Sequence, residues 1–302
     1  MRQHQKFLVV FSLVSSLTAS LFIVHAVMYK DENVWLYPSD PENYLEVDST
    51  FQLAGTLYYP LNFDDSKIYP AVMLFHGLTG NRGHCADLAV ALQAEGFVCL
   101  TIDFRGHGES GGSFPFETPS QYNATFGDAN GAYRFLTSKH FVDESAISAF
   151  GMSLGGGAAL FMSITGIVST LCAWYPGSAY ILNNTPLYQH EVNNTLKGGY
   201  IIQGTDDECS RCSPTYTQAF VNTNSEKISV TWVEGGTHGT SMDYPFYKSE
   251  TVAFLSEANE ITGLNLFEKI IYYHYTPWIS LGGTLVFALT FSSIYLVKKR
   301  KN

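Results

Sequence analysis

Ala146-Ile147-Ser148-Ala149-Phe150-Gly151-Met152-Ser153-Leu154-Gly155-Gly156-Gly157 is the stretch on which the fold turns. Its first five residues make a short apolar run that predicts a buried strand. Residues 154–164 then carry the spacing and composition of a helix. Between the two stands Gly151-Met152-Ser153-Leu154-Gly155, a G-x-S-x-G pattern. The pattern alone is common, and its setting gives it meaning. A serine presented for attack needs a sharp turn between a strand and a helix, with its hydroxyl exposed at the tip. Glycines on either side give such a turn the backbone room it requires. The helix N-terminus then aims its dipole and free N–H groups at a developing oxyanion. Ser153 is therefore the candidate nucleophile.

Working outward, residues 51–58 alternate and predict an antiparallel edge strand. Residues 71–75 predict a short buried strand ending at His76-Gly77, and 85–94 a helix that stops at Gly96. Residues 97–102 predict a second buried strand, ending at Asp103, and 128–136 a helix. Beyond the serine, strands at 170–174, 200–203 and 228–233 alternate with helices near 216–221 and 247–258. Continuous apolar strands taking turns with helices predict an α/β fold, a mostly parallel sheet covered by helices on both faces. In such sheets the sites lie in loops after strand C-termini.

A serine hydroxyl needs a base to take its proton. When the serine sits on a strand–turn–helix elbow, the acid and the base follow it in the chain. Three histidines do so, His190, His238 and His274. His274 lies at the edge of a long apolar run, and His190 in a polar stretch with no strand before it. His238 stands in Glu234-Gly235-Gly236-Thr237-His238-Gly239, just past the last predicted strand, and is the candidate base. The acid should follow the preceding strand, where Gly204-Thr205-Asp206-Asp207-Glu208 offers three carboxylates. Position does not choose among them. In His76-Gly77-Leu78-Thr79-Gly80 the backbone N–H of Leu78 can face that of Leu154 and complete an oxyanion hole. Loss of one such donor typically costs about 2.7–4 kcal/mol of transition-state stabilisation. His76 precedes the serine and is read as shaping its loop.

His76-Gly77, Asp103-Phe104-Arg105-Gly106-His107-Gly108-Glu109-Ser110-Gly111-Gly112, the Ser153 elbow, Gly204-Thr205-Asp206-Asp207 and His238 stand in an order that resembles the α/β-hydrolase superfamily. Within it the chain resembles the branch of serine aminopeptidases (S33), monoacylglycerol lipases and feruloyl esterases, over about residues 50–258. The resemblance implies an α/β-hydrolase fold and a serine hydrolase acting on carboxylic esters or related acyl bonds. It implies Ser153, Asp207 and His238 as the triad, with Asp207 chosen as the last residue of a Gly-Thr-x-Asp pattern. It also gives Arg105 and His107 structural roles. The substrate it implies is a small ester or lipid-like molecule, and neither metal nor organic cofactor is required. Relatives with large substrates carry a cap after the sixth strand; here only residues 178–198 are available, a short lid at most. An aminopeptidase is the alternative enzyme, and a catalytically silent adhesion or receptor module the alternative from another class.

The rest of the chain speaks to location. Residues 7–29 and 275–297 are uncharged apolar runs long enough for a hydrocarbon layer of about 30 Å. Arg2 and Lys6 precede the first; Lys298, Lys299, Arg300 and Lys301 follow the second. Positive flanks mark the cytosolic side. The expected plan is a cytosolic N-terminus at 1–6 and a membrane anchor at 7–29, with a cleaved signal peptide as its alternative. A spacer at 30–48, a hydrolase domain at 49–260 and a juxtamembrane stretch at 261–274 follow. A second span at 275–297 and a basic tail at 298–302 complete it. The domain would then be extracytosolic, lumenal or extracellular. Apart from those six terminal charges, the chain holds eleven basic residues against 27 acidic ones, which excludes an electrostatic case for nucleic acid. Asn123, Asn183 and Asn193 head N-x-T sequons and are candidate glycosylation sites. The five cysteines form no disulfide framework. Cys99 and Cys172 read as core residues. Cys209 and Cys212 form a lone C-x-x-C without the second pair or nearby histidine that zinc would need, leaving an oxidised loop staple open. Expressed in a eukaryotic host, the full chain should gain endoglycosidase-sensitive mass at one or more sequons. A chain with no added mass, whose domain is also shielded from protease added outside the membrane, would overturn this topology.

Overall fold

Branched and aromatic residues set the strands, and glycine and polar residues punctuate them. The structure, a computed structural model, describes residues 30–261 apart from 42, 44, 62, 115–122 and 240–244. In chain order come β1 (Lys30–Leu36), β2 (Leu53–Tyr59), β3 (Tyr69–Phe75), α1 (Ala86–Glu95), β4 (Val98–Ile102) and α2 (Ala124–Thr137). Then follow β5 (Val142–Met152), α3 (Leu154–Thr165), β6 (Thr170–Trp174), β7 (Ile181–Leu182), β8 (Thr185–Pro186) and β9 (Gly198–Gly204). The series closes with α4 (Pro214–Thr223), β10 (Ile228–Val233) and α5 (Pro245–Ala258).

Eight strands form one sheet in the order β1-β2-β4-β3-β5-β6-β9-β10. β2 runs antiparallel to β4. The pairs from β4 through β3, β5, β6 and β9 to β10 are all parallel. Side-chain alternation divides the core between the two faces. Ala71, Met73 and Phe75 of β3 join a cluster with Phe126 of α2 and Phe161 of α3, whose rings stack 4.3 Å apart. Trp174, at the end of β6, turns the other way and donates its indole N–H to Thr251 of α5 at 2.9 Å.

Two expectations change here. The segment read as a spacer is part of the sheet, because β1 pairs with β2 and displaces it from the edge. Residue Ser39 also donates its N–H to Gly127 in α2. The strand Lys-Asp-Glu-Asn-Val-Trp-Leu looks like a linker because its side chains are mostly exposed, and charge on an edge strand discourages pairing with other chains. The insert between β6 and β9 is indeed small, the β7–β8 hairpin and a 3-10 turn at Leu187–Gln189. Asn183 and Asn184 form its tip with positive φ, and the His190 imidazole lies against the carbonyls of Leu182 and Thr185. His190 thus belongs to the hairpin. Among the described residues no helix is long and apolar enough to cross a membrane. The spans expected at 7–29 and 275–297, and His274, lie outside them.

The loop after β4 joins three elements. Arg105 donates its N–H, Nε and Nη2 to the Asp128 carboxylate of α2, all within 2.9 Å. Asp103 accepts from Arg82, which also pairs with Glu109, and Ser110 ties the loop to Ala54 of β2 at 2.8 Å. Asp128 is fully buried, so its charge depends on Arg105. Arg105→Ala should cost about 3 kcal/mol at neutral pH. For a domain of this size the melting temperature would fall by about 6–12 °C. The deficit should shrink as the pH is lowered and Asp128 takes up a proton, a trend that calorimetry across pH would read.

Candidate active site

The parallel pairing of β5 with β3 and β6 brings three loops to the C-terminal edge of the sheet. Ser153 stands between β5 and α3, as the N-cap of the helix, with φ 51° and ψ −110°, a conformation that side-chain-bearing residues rarely adopt. Hydrogen bonds hold it there. Its N–H donates to the Trp174 carbonyl at 3.0 Å, and its own carbonyl accepts from Gly157 and Gly177 at 3.1 and 2.8 Å. The two motif glycines are steric requirements. A Cβ on Gly151 would lie 2.0 Å from the Gly155 carbonyl oxygen, and one on Gly155 would lie 2.3 Å from that of Phe75.

His238 reaches this serine from the loop after β10. Its Nε2 is 2.9 Å from Ser153 Oγ, and its Nδ1 is 3.0 Å from Asp207 Oδ2. The geometry chooses among the three carboxylates. Asp207 alone faces the imidazole; Asp206 accepts from the Thr205 hydroxyl, and Glu208 accepts the backbone N–H of His238 at 3.1 Å. The Asp207 carboxylate is buried and further accepts the Gln203 amide at 3.0 Å and the Cys209 N–H at 2.9 Å. Burial alone would lower the His238 pKa. The bond and charge of Asp207, with the charges of Cys209 and Glu208, outweigh that and leave it raised.

Leu78 and Leu154, expected to frame an oxyanion hole, lie on the loop after β3 and at the first position of α3. The Gly155 N–H donates to the His76 carbonyl at 3.1 Å, which fastens the loop after β3 to the start of α3. Among the described residues neither the Leu78 N–H nor the Leu154 N–H donates to a protein acceptor. His76 is fully buried. Its Nε2 accepts the Phe104 N–H at 3.1 Å, so Nδ1 carries the proton toward the Gly77 carbonyl at 2.7 Å. Burial pushes its pKa down to about 4, consistent with a neutral ring that joins two loops. The sequon residues scatter over the surface. Asn183 is exposed at the hairpin tip, while Asn123 and Asn193 are half-buried.

The structure adds three residues to the site. Tyr175, with positive φ, sets its ring edge-on to His238 at 6.2 Å and its hydroxyl 3.1 Å from that of Tyr247. Gln203 had a legible signal, a polar residue inside the apolar run of β9 that must find a buried partner. Cys212 had none, since only folding places its Sγ 3.8 Å from Ser153 Oγ. Folding also gathers Cys209, Cys212 and His238, whose ligating atoms lie within 4.8 Å of one another. Both ring nitrogens of His238 are already engaged by Asp207 and Ser153, which disfavours a metal there.

Residues 66–165 match the family described as serine aminopeptidase, S33. An uncharacterized protein of Mycobacterium tuberculosis (strain ATCC 25618 / H37Rv) is 32% identical over 186 residues, 56% of this chain and 63% of that one. Cutinase 2 of Thermobifida cellulosilytica is 26% identical over 186 residues, 61% and 64% of the two chains. The chain thus spans less than two thirds of the length of either relative. Among solved structures, esterase 2 of Thermogutta terrifontis phosphoramylated by tabun superposes with a TM-score of 0.62 at 16% identity, covering 78% of this chain and 97% of the other. The raised proton affinity of His238 can be read by NMR titration. Its imidazole should titrate above the usual value, Asp207→Asn should bring it down, and Asp206→Asn should leave it in place.

Proposed function

Since the chain belongs to the α/β-hydrolase superfamily, we propose that it is a membrane-anchored serine hydrolase cleaving carboxylic esters or related acyl bonds. The observation that carries this reading is the continuous relay from Asp207 through His238 to Ser153, with contacts of 3.0 and 2.9 Å. Ser153 Oγ attacks the acyl carbon while His238 Nε2 takes its proton. Asp207 holds the imidazole in the tautomer that leaves Nε2 free to accept, and it stabilises the imidazolium that forms. The N–H groups of Leu78 and Leu154 hold the oxyanion. The proton passes from His238 to the leaving group, and water then releases the acyl group by the same steps in reverse. The substrate is a small ester or lipid-like molecule.

The charge pattern at 7–29 and 275–297 supports anchoring at a membrane, with the domain on the extracytosolic side and Asn183 the best-exposed sequon residue. Substrates near a lipid surface follow from that placement. The match to serine aminopeptidases supports a second reading, hydrolysis of an N-terminal peptide bond. Aminoacyl naphthylamides assayed beside acyl esters of graded chain length separate the two.

Ser153→Ala should abolish turnover of p-nitrophenyl esters, and Asp207→Asn should lower kcat by about 10⁴-fold. Asp206→Asn should leave the rate close to that of the unaltered chain. Undiminished hydrolysis by Ser153→Ala would overturn the assignment.

A further inference from the structure

The Cys209-Ser210-Arg211-Cys212 segment follows the acid Asp207 and folds back on itself, the Cys212 N–H donating to the Cys209 carbonyl at 3.0 Å. This turn brings the two Sγ atoms to 3.0 Å. The pair is asymmetric. Cys209 is partly exposed, whereas Cys212 is buried with its sulfur 3.8 Å from Ser153 Oγ. Cys209 also donates its backbone N–H to Asp207, so the pair touches two members of the relay directly. Cys85, Cys99 and Cys172 are buried, and burial pushes their thiols up into the inert protonated form.

We propose that Cys209 and Cys212 form a reversible disulfide beside Ser153 and His238, closed by low-molecular-weight disulfides, and that closing it alters the reactivity of the serine. The effect on the serine rests on reading Ser153 and His238 as nucleophile and base. A disulfide needs the sulfurs to come together by about 1 Å, to a bond of about 2.05 Å. The chemistry is thiol–disulfide exchange. The hydrogen bond between the two sulfurs holds the Cys209 pKa down at about 6, so the accessible cysteine is the thiolate. It attacks one sulfur of the small disulfide and expels a thiolate. That leaving thiolate takes the proton of Cys212, whose sulfur then displaces the second small thiolate from Cys209. The Cys209 thiolate and the Cys212 thiol together lose two electrons and one proton; the small disulfide gains them as one thiol and one thiolate, and that thiolate takes its proton from solvent.

Closure reaches the serine through charge. The charged and titratable groups around His238 are Asp207 at its Nδ1, Glu208 at its backbone N–H and Cys209, all from the turn after β9, with Ser153 from the elbow and Tyr175 from the loop after β6. The Cys209 thiolate favours the imidazolium, and a neutral disulfide does not. With the disulfide closed, His238 should become a free base at lower pH, with Asp207 and Glu208 still holding part of its raised affinity. Closure also commits the Cys212 sulfur, 3.8 Å from Ser153 Oγ, to a bond with Cys209.

The full chain in detergent, with a chelator present, is equilibrated in glutathione buffers from fully reduced to fully oxidised. Thiols are trapped by alkylation and read by mass spectrometry, and in parallel the rate at which a fluorophosphonate labels Ser153 is measured against pH. Oxidation should remove two hydrogens from the peptide carrying Cys209 and Cys212. It should also move the acid limb of the labelling profile to lower pH. In Cys209→Ser the profile should ignore the redox buffer. Thiols that stay alkylatable in fully oxidised glutathione would overturn the disulfide, and superimposable profiles in the two states would overturn its effect on the serine. Failure to label Ser153 in either state would sink the nucleophile reading itself, while the mass readout still decides whether the pair closes.

Discussion

Ser153 is held in a backbone conformation that costs on the order of 1–3 kcal/mol, and the site is arranged around keeping it there. The strain is offset by contacts from three directions. β6 accepts the serine N–H through Trp174, the loop after β6 returns the Gly177 N–H to its carbonyl, and α3 closes its first turn on the same carbonyl. Gly151 and Gly155 permit these approaches, since either Cβ would collide with backbone. Because Gly155 also grips the His76 carbonyl, the loop carrying Leu78 takes its position from the same turn. The elbow thus orients a hydroxyl and registers its neighbouring loop.

A second layer of polar groups holds the relay in turn. Asp207 is a buried carboxylate, and a lone charge there would be costly. The Gln203 amide, the Cys209 N–H and the His238 ring share it. Gln203 is itself fixed by the Thr217 hydroxyl of α4 at 2.8 Å, so the direction of the carboxylate depends on helix packing behind the sheet. Asp103 and Asp128 follow the same logic on the other side, each buried and each matched to an arginine.

What could be read from the residues divides along physical lines. The parallel strands were plain because burial on both faces demands unbroken apolar runs, as in β3 and β6. The serine and His238 were legible because each sits in a glycine-flanked turn just after a strand. β1 was missed because an edge strand with exposed side chains carries the composition of a linker. Residues alone left Asp206, Asp207 and Glu208 open, and the choice of Asp207 came from the family resemblance until the structure showed it facing the ring. Cys212 and Tyr175 carry no local mark, since their roles depend on contacts made across 59 and 72 residues of chain.

Those separations have a consequence for the molecule's maturation. Ser153 and His238 are 85 positions apart, and the segment between them supplies β6, β9 and β10. A nascent chain that has completed the elbow but not β10 holds a serine with no base, inert toward acyl compounds in its surroundings. Reactivity switches on only when the last strand docks and delivers His238. On the proposed relay, covalent capture of the serine is a timestamp for the docking of that strand, and its reactivity arrives with the final fold rather than ahead of it.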